Sequence, residues 1–155
     1  RRSSDLGGPE GATGLADGDY AAIVSANVPI SASMSISRVV GTSKPKIDFA
    51  LLAAAESSVS ERAIRVPTSG ISKLSLVNAT NKSAAVQVTI GGQTSSITLQ
   101  DAASVVLQAA PGDLVTVKSD KAVSAALVID LDSAVTVLPL TDYKNQASKV
   151  LVSVR

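Results

Sequence analysis

Between residues 64 and 129 the chain is a succession of short apolar runs that alternate with polar residues at a period of two. Turn residues cut these runs at intervals of roughly 8 to 12 positions, the spacing of strands in a sandwich. Side chains alternate across a β-strand, so the pattern gives each segment one face to bury and one face to leave in water. The connections are too short for the crossover helices that parallel strands need. The expected fold class is therefore all-β, an immunoglobulin-like β-sandwich of antiparallel strands with hairpin and Greek-key connections.

Residues 1–17 are rich in Gly, Ser and Pro, have no apolar periodicity, and read as a flexible linker. Residues 18–155 read as the sandwich domain. An apolar run over 20–24 and a turn at Ser25-Ala26-Asn27 precede Ile30, Ala32, Met34 and Ile36, which alternate with serines as in a half-buried strand. The Gly/Ser/Pro segment 41–46 is expected to carry the chain from one sheet to the other. Residues 47–55 fit either a strand or one helical turn, because Leu51, Leu52 and Ala53 to Ala55 favour helix while the segment is short.

Strands are expected over 64–66, ended by Pro67 and a 68–70 turn, and over 71–77. The polar loop 78–83 follows, with Asn78 and Asn81 suited to left-handed backbone. Gly91-Gly92 between the runs 86–90 and 97–99 is a strong hairpin signal. Turns at 101–103, 111–113 and 119–121 lead into strands at 105–107, 114–117 and 123–129, the last with Val123, Ala125, Leu127 and Ile129 inward. Two more strands are expected at 135–138 and 150–154, separated by a polar loop through Asp142, Tyr143 and Asn145.

Composition limits the chemistry. With 45% hydrophobic residues among 155, the chain can bury a core, but aromatics are only 2%, so Val, Ile, Leu and Ala must fill it. The chain has no Cys and no His, which removes disulfides, thiol nucleophiles, imidazole bases and the zinc sites built on them. Net charge is +1 without a basic run longer than Arg1-Arg2, so a nucleic-acid partner and an anionic membrane surface are set aside. The longest apolar run, 49–55, is far shorter than the roughly 20 residues of a spanning helix, so direct membrane insertion is not expected. A chain that begins Arg1-Arg2 reads as a fragment or processed product whose export signal or anchor lies upstream.

The remaining candidate sites are weak. Asp130 and Asp132 share a strand face, and Asp17-Gly18-Asp19 has the flavour of a calcium loop, but both lack the six to eight oxygens that calcium takes. A serine nucleophile without His would need a lysine base, and Lys73, Lys82, Lys118 and Lys121 read better as edge charges that discourage strand pairing. An isopeptide crosslink from Lys73 or Lys118 to Asn78 would need burial beside a carboxylate. Sugar platforms are built from aromatic rings, and Tyr20 and Tyr143 are too few, so a carbohydrate partner is not expected. Asn78-Ala79-Thr80 and Asn81-Lys82-Ser83 match glycosylation acceptors but read as turn residues. No catalytic, cofactor or metal residue is assigned, no cofactor is expected, and the chain is not expected to be an enzyme.

One internal echo links the ends. Gly18-Asp19, a run, Ser25 and Ile30-Ser31-Ala32 recur at an offset of about 94 positions as Gly112-Asp113, a run, Ser119 and Val123-Ser124-Ala125. That offset is about the length of one immunoglobulin-like sandwich. Residues 18–40 therefore read either as the closing hairpin of a preceding repeat or as a chance likeness between two Ser/Ala/Val-rich hairpins.

Further segments carry a resemblance. They are Asp48-Phe49-Ala50 with the Ala-rich run after it, Val66-Pro67, 74–78 (Leu-Ser-Leu-Val-Asn), 85–89 (Ala-Val-Gln-Val-Thr), Leu99, 104–107 and 117–127. In these the chain resembles the DUF5719 family of actinobacterial secreted proteins over about residues 20–155. The resemblance implies an exported or membrane-tethered envelope protein with sandwich repeats, placed outside the cell or at its surface, and it supplies no catalytic residues. The expected function is that of a non-enzymatic extracytoplasmic module, a structural spacer or a surface for protein partners, whether itself or another envelope component. The alternative is a subunit that polymerises by β-strand addition through the hairpin at 20–38.

Overall fold

A computed structural model describes residues 21–24, 26–28, 33–40, 46–53, 55–131 and 134–141 of the chain. These form ten strands and no helix: β1 (Ser33–Val40), β2 (Lys46–Ala53), β3 (Arg62–Arg65), β4 (Ile71–Val77), β5 (Ala84–Ile90), β6 (Gln93–Leu99), β7 (Ser104–Ala109), β8 (Leu114–Ser119), β9 (Ser124–Leu131) and β10 (Ala134–Pro139). All pairings are antiparallel. One four-stranded sheet runs β10-β9-β4-β7, the other β3-β8-β5-β6, and β1 with β2 makes a separate two-stranded sheet. The all-β sandwich read from the sequence is thus the observed architecture.

Alternation explains which side chains meet between the sheets. Along β4 the pattern buries Ser72, Leu74 and Leu76 and leaves Ile71 exposed and Lys73 and Ser75 half-buried. Val86 and Val88 of β5, Val115 and Val117 of β8, and Ala125, Leu127 and Ile129 of β9 come inward in the same way. The buried core holds aliphatic side chains and no aromatic ring among the described residues. Each fully buried Val or Leu stabilises the fold by about 1.5–3 kcal/mol relative to exposure, so a core this size needs no larger residue.

Two of the pairs, β4 with β7 and β5 with β8, match the pairing of strands B with E and C with F in immunoglobulin domains. The flanking strands differ from that pattern. The first sandwich strand, β3, lies beside β8, and the late strand β9 lies beside β4; immunoglobulin domains put the first strand beside B and the last beside F.

Several segments depart from the sequence reading. Residues 47–55 are resolved in favour of strand, since β2 spans Lys46–Ala53. The crossing between sheets expected at 41–46 is not found, because the strands on either side, β1 and β2, pair with each other from Ser33↔Ala53 to Val40↔Lys46. Residues 21–24 are exposed and form no strand. The strand that follows them is paired within its own chain. The 119–121 turn reverses direction, as read, but it also moves the chain from one sheet to the other. The linker 1–17, Tyr20, the strand at 150–154 and the loop through Tyr143 lie outside the described residues.

Candidate interaction surface

The sandwich has two different flanks. The four-residue turn at 100–103 keeps β6 and β7, the end strands of the two sheets, on one side. On the other side lie β3 and β10. There Arg62 is 2% exposed and its Nη2 donates to the Val123 carbonyl oxygen at 2.7 Å, tying β3 to the start of β9 across the sandwich. Strand β3 is only four residues long and carries Arg62 and Arg65, and β10 ends in Pro139 with the β1-β2 sheet beside it. Short length, charge and proline all oppose pairing with a foreign strand.

The β6 and β7 flank has none of these protections. Gln93 to Leu99 and Ser104 to Ala109 contain no charged residue and no proline. From Ser83 to Gly112 the sequence has a single charged residue, Asp101, which sits in the turn between the two edges. This corrects the reading of the lysines as edge charges. Lys73 is on β4 and Lys118 on β8, both central strands, while Lys82 and Lys121 lie in turns.

Asn78 anchors the inner end of this flank. It is fully buried, and its Nδ2 donates to the carbonyl oxygens of Lys82 (2.8 Å), Leu99 (3.2 Å) and Gln100 (2.8 Å). Its Oδ1 accepts from the Thr80 N–H at 3.0 Å and the Thr80 hydroxyl at 2.7 Å, and its own N–H donates to the Ala103 carbonyl oxygen at 2.9 Å. One amide thereby closes the 78–83 loop and fixes the β6-to-β7 turn. The left-handed role expected for Asn78 and Asn81 is not what the loop uses, since among the described residues Ala102 is the non-glycine with positive φ, at 51°. An Asn two residues before a Thr is the signal for this side-chain turn. The crosslink to Lys73 or Lys118 has no place at an amide whose partners are Thr80, Lys82, Leu99 and Gln100. Burial also withdraws Asn78 from glycosylation.

A shallow depression of about 320 Å³ lies on the outer face of β6, β5 and β8. Ser96, Gln87 and Lys118 stand in one row across it, because Gln87 is opposite Ser96 on one side and Lys118 on the other. Gln87 separates the serine from the lysine, and no hydrogen bond joins them. Ser119 points the other way, being buried on the core side of β8. This row can offer amide and hydroxyl groups to a surface laid across it; it does not assemble a nucleophile with its base. Asp130 is half-buried on β9, while Asp132 and Asp17-Gly18-Asp19 are outside the described residues. Among the described residues no three metal-ligating side chains gather.

A family model described as a family of unknown function (DUF5719) matches residues 11–110. The match starts earlier and stops earlier than the resemblance over 20–155 suggested, ending as β7 closes and leaving β8 to β10 beyond it. No curated protein and no solved structure matches the chain.

Proposed function

We propose, for a chain that belongs to the DUF5719 family of unknown function, that it is a non-enzymatic, extracytoplasmic sandwich module of a bacterial cell-envelope protein, acting as a structural spacer or as a surface for protein partners. The observation that carries this reading is the outer surface of the sheets, where neutral hydroxyl and amide side chains such as Gln87, Thr94, Ser96 and Thr98 are exposed on and beside a shallow depression. Such faces hold position and exclude little water, which suits contact more than chemistry. Support for the envelope setting comes from the resemblance to exported proteins. Shaving of intact cells with protease, followed by peptide mapping, tests location: peptides from 55–131 released from unbroken cells are expected, and their confinement to the lysate overturns the reading. Labelling of any serine by a fluorophosphonate probe would overturn the non-enzymatic part.

The second reading, assembly by strand addition, is favoured by a specific feature. It is the uncharged β6 edge, rather than the hairpin at 20–38, since β1 already has β2 as its partner.

A further inference from the structure

We propose that β6 pairs with β6 of a second copy of this chain, antiparallel about a two-fold axis at Ser96, joining two four-stranded sheets into one of eight strands. This rests on the strand-addition reading and gives it an edge, a partner and a register.

The backbone selects the register. β5 and β6 pair without a bulge from Ala84↔Leu99 to Ile90↔Gln93 around the two-residue turn Gly91-Gly92. In such a hairpin the pair flanking the turn exchanges hydrogen bonds, and exchanging and non-exchanging pairs then alternate along the ladder. Ile90 with Gln93, Val88 with Ser95 and Val86 with Ile97 are the exchanging pairs. Thr94, Ser96 and Thr98 therefore turn their N–H and C=O groups away from β5, toward the edge that pairs with no strand among the described residues. The 2.8 Å hydroxyl contact between Thr89 and Thr94 fits a close, non-exchanging pair.

With the two-fold at Ser96, Thr94 faces Thr98 of the copy and Ser96 faces itself. Every outward N–H then meets an outward C=O, so all three donors and all three acceptors of each edge are used. The side chains on the outer face become hydroxyl opposite hydroxyl, the kind of cross-strand pair that Thr89 and Thr94 already make within the chain. On the core side, half-buried Ile97 comes opposite Ser95 of the copy.

The absence of charge points to a second copy as the occupant. Identical strands paired about a two-fold place each residue near its own image, so any charge close to the axis would repel itself. β6 has no charge over its seven residues. The opposite edge of the same sheet, β3, is only four residues long, with Arg65 exposed and Arg62 turned into the sandwich. Growth from that edge is blocked, so the pairing closes as a dimer.

The test uses the full chain, which has no cysteine of its own. Analytical ultracentrifugation should show a concentration-dependent dimer. Ser96→Lys, at an exposed position, should abolish it at every concentration while leaving the far-ultraviolet circular dichroism unchanged. Gln108→Lys on the β7 edge should leave the dimer intact. Ser96→Cys should form an intermolecular disulfide under mild oxidation, and Ser69→Cys, in the turn before β4, should not. A dimer that survives Ser96→Lys, or one lost only with Gln108→Lys, overturns this interface but keeps strand addition. Growth into filaments overturns the closed two-fold. A monomer at all concentrations overturns both the interface and the strand-addition reading, leaving the spacer.

Discussion

Two buried polar side chains on β4 and just beyond it show opposite uses of a hydrogen-bonding group. The fully buried Asn78 donates to three carbonyl oxygens and accepts two hydrogen bonds from Thr80. Replacing Asn78 by Ala leaves the buried Leu99 carbonyl oxygen without this partner, at about 1–3 kcal/mol, and also removes the part-buried bonds to Lys82, Gln100 and Thr80. A loss of about 3 kcal/mol or more is expected for Asn78→Ala, measured by urea denaturation. Asn78→Asp should be no better, since a carboxylate would face the same three carbonyl oxygens with nothing to donate. Ser72 is the contrary case: it is 2% exposed and its hydroxyl has no hydrogen-bond partner among the described residues. Burying a hydroxyl without a partner costs about 1–3 kcal/mol. Ser72→Ala removes that cost for a small void between Ala109 and Ile129, its cross-strand neighbours. It should raise the denaturation midpoint, by about 1 kcal/mol; a loss larger than that would show that the hydroxyl is used.

The turns differ in what they ask of their residues. Gly70 has φ +83°, and a Cβ there would lie 2.7 Å from the Asp130 carbonyl oxygen and 2.7 Å from Leu131 Cδ2. Gly92 has φ +84° with nothing within 4 Å of the same position. Left-handed backbone costs a residue with a Cβ about 1–2 kcal/mol, so Gly92→Ala should lose about that much and Gly70→Ala clearly more, compared by thermal denaturation. Ala102, at φ 51°, already bears this strain, and Ala102→Gly should stabilise by about 0.5–1 kcal/mol. The strands around these turns were legible in the sequence: β4 begins and ends where its alternation does, and Gly91-Gly92 closes the hairpin read there. Sheet membership was not legible, because a period of two fixes a buried face but not a neighbour. Connection length carried part of that information. Within the described sandwich, the two-residue connection at 91–92 joins neighbours in one sheet, while those of four to six residues cross to the other sheet. Lys73 and Lys118 fit an edge by sequence and lie on central strands for the same reason, since only the strand order tells a central strand from an edge.

At the scale of the whole molecule, the described core is contained between Arg62 and Leu140. The β1-β2 sheet stands apart from both four-stranded sheets and lies beside β10 without joining its ladder. On its described face Met34 and Leu51 are exposed, Leu51 at 71%. The contacts that hold the first turn of the sandwich begin at 55: Ser124 Oγ donates to the Ala55 carbonyl oxygen at 3.2 Å, the Ser57 and Ser124 hydroxyls meet at 2.8 Å, and Ser58 and Val123 exchange backbone hydrogen bonds. A chain beginning at Ala55 therefore keeps each of these bonds and every described core residue. It should fold cooperatively with a loss of stability smaller than that of Leu74→Ala, for which removal of a buried leucine predicts about 2–5 kcal/mol. Denaturation monitored by circular dichroism, with amide exchange on β4, β5, β8 and β9, makes the comparison. Exchange in those central strands should stay slow while β10, stripped of its neighbour, becomes faster. Loss of protection in the central strands would mean that β1 and β2 belong to the cooperative core, and that the sandwich is a three-sheet unit.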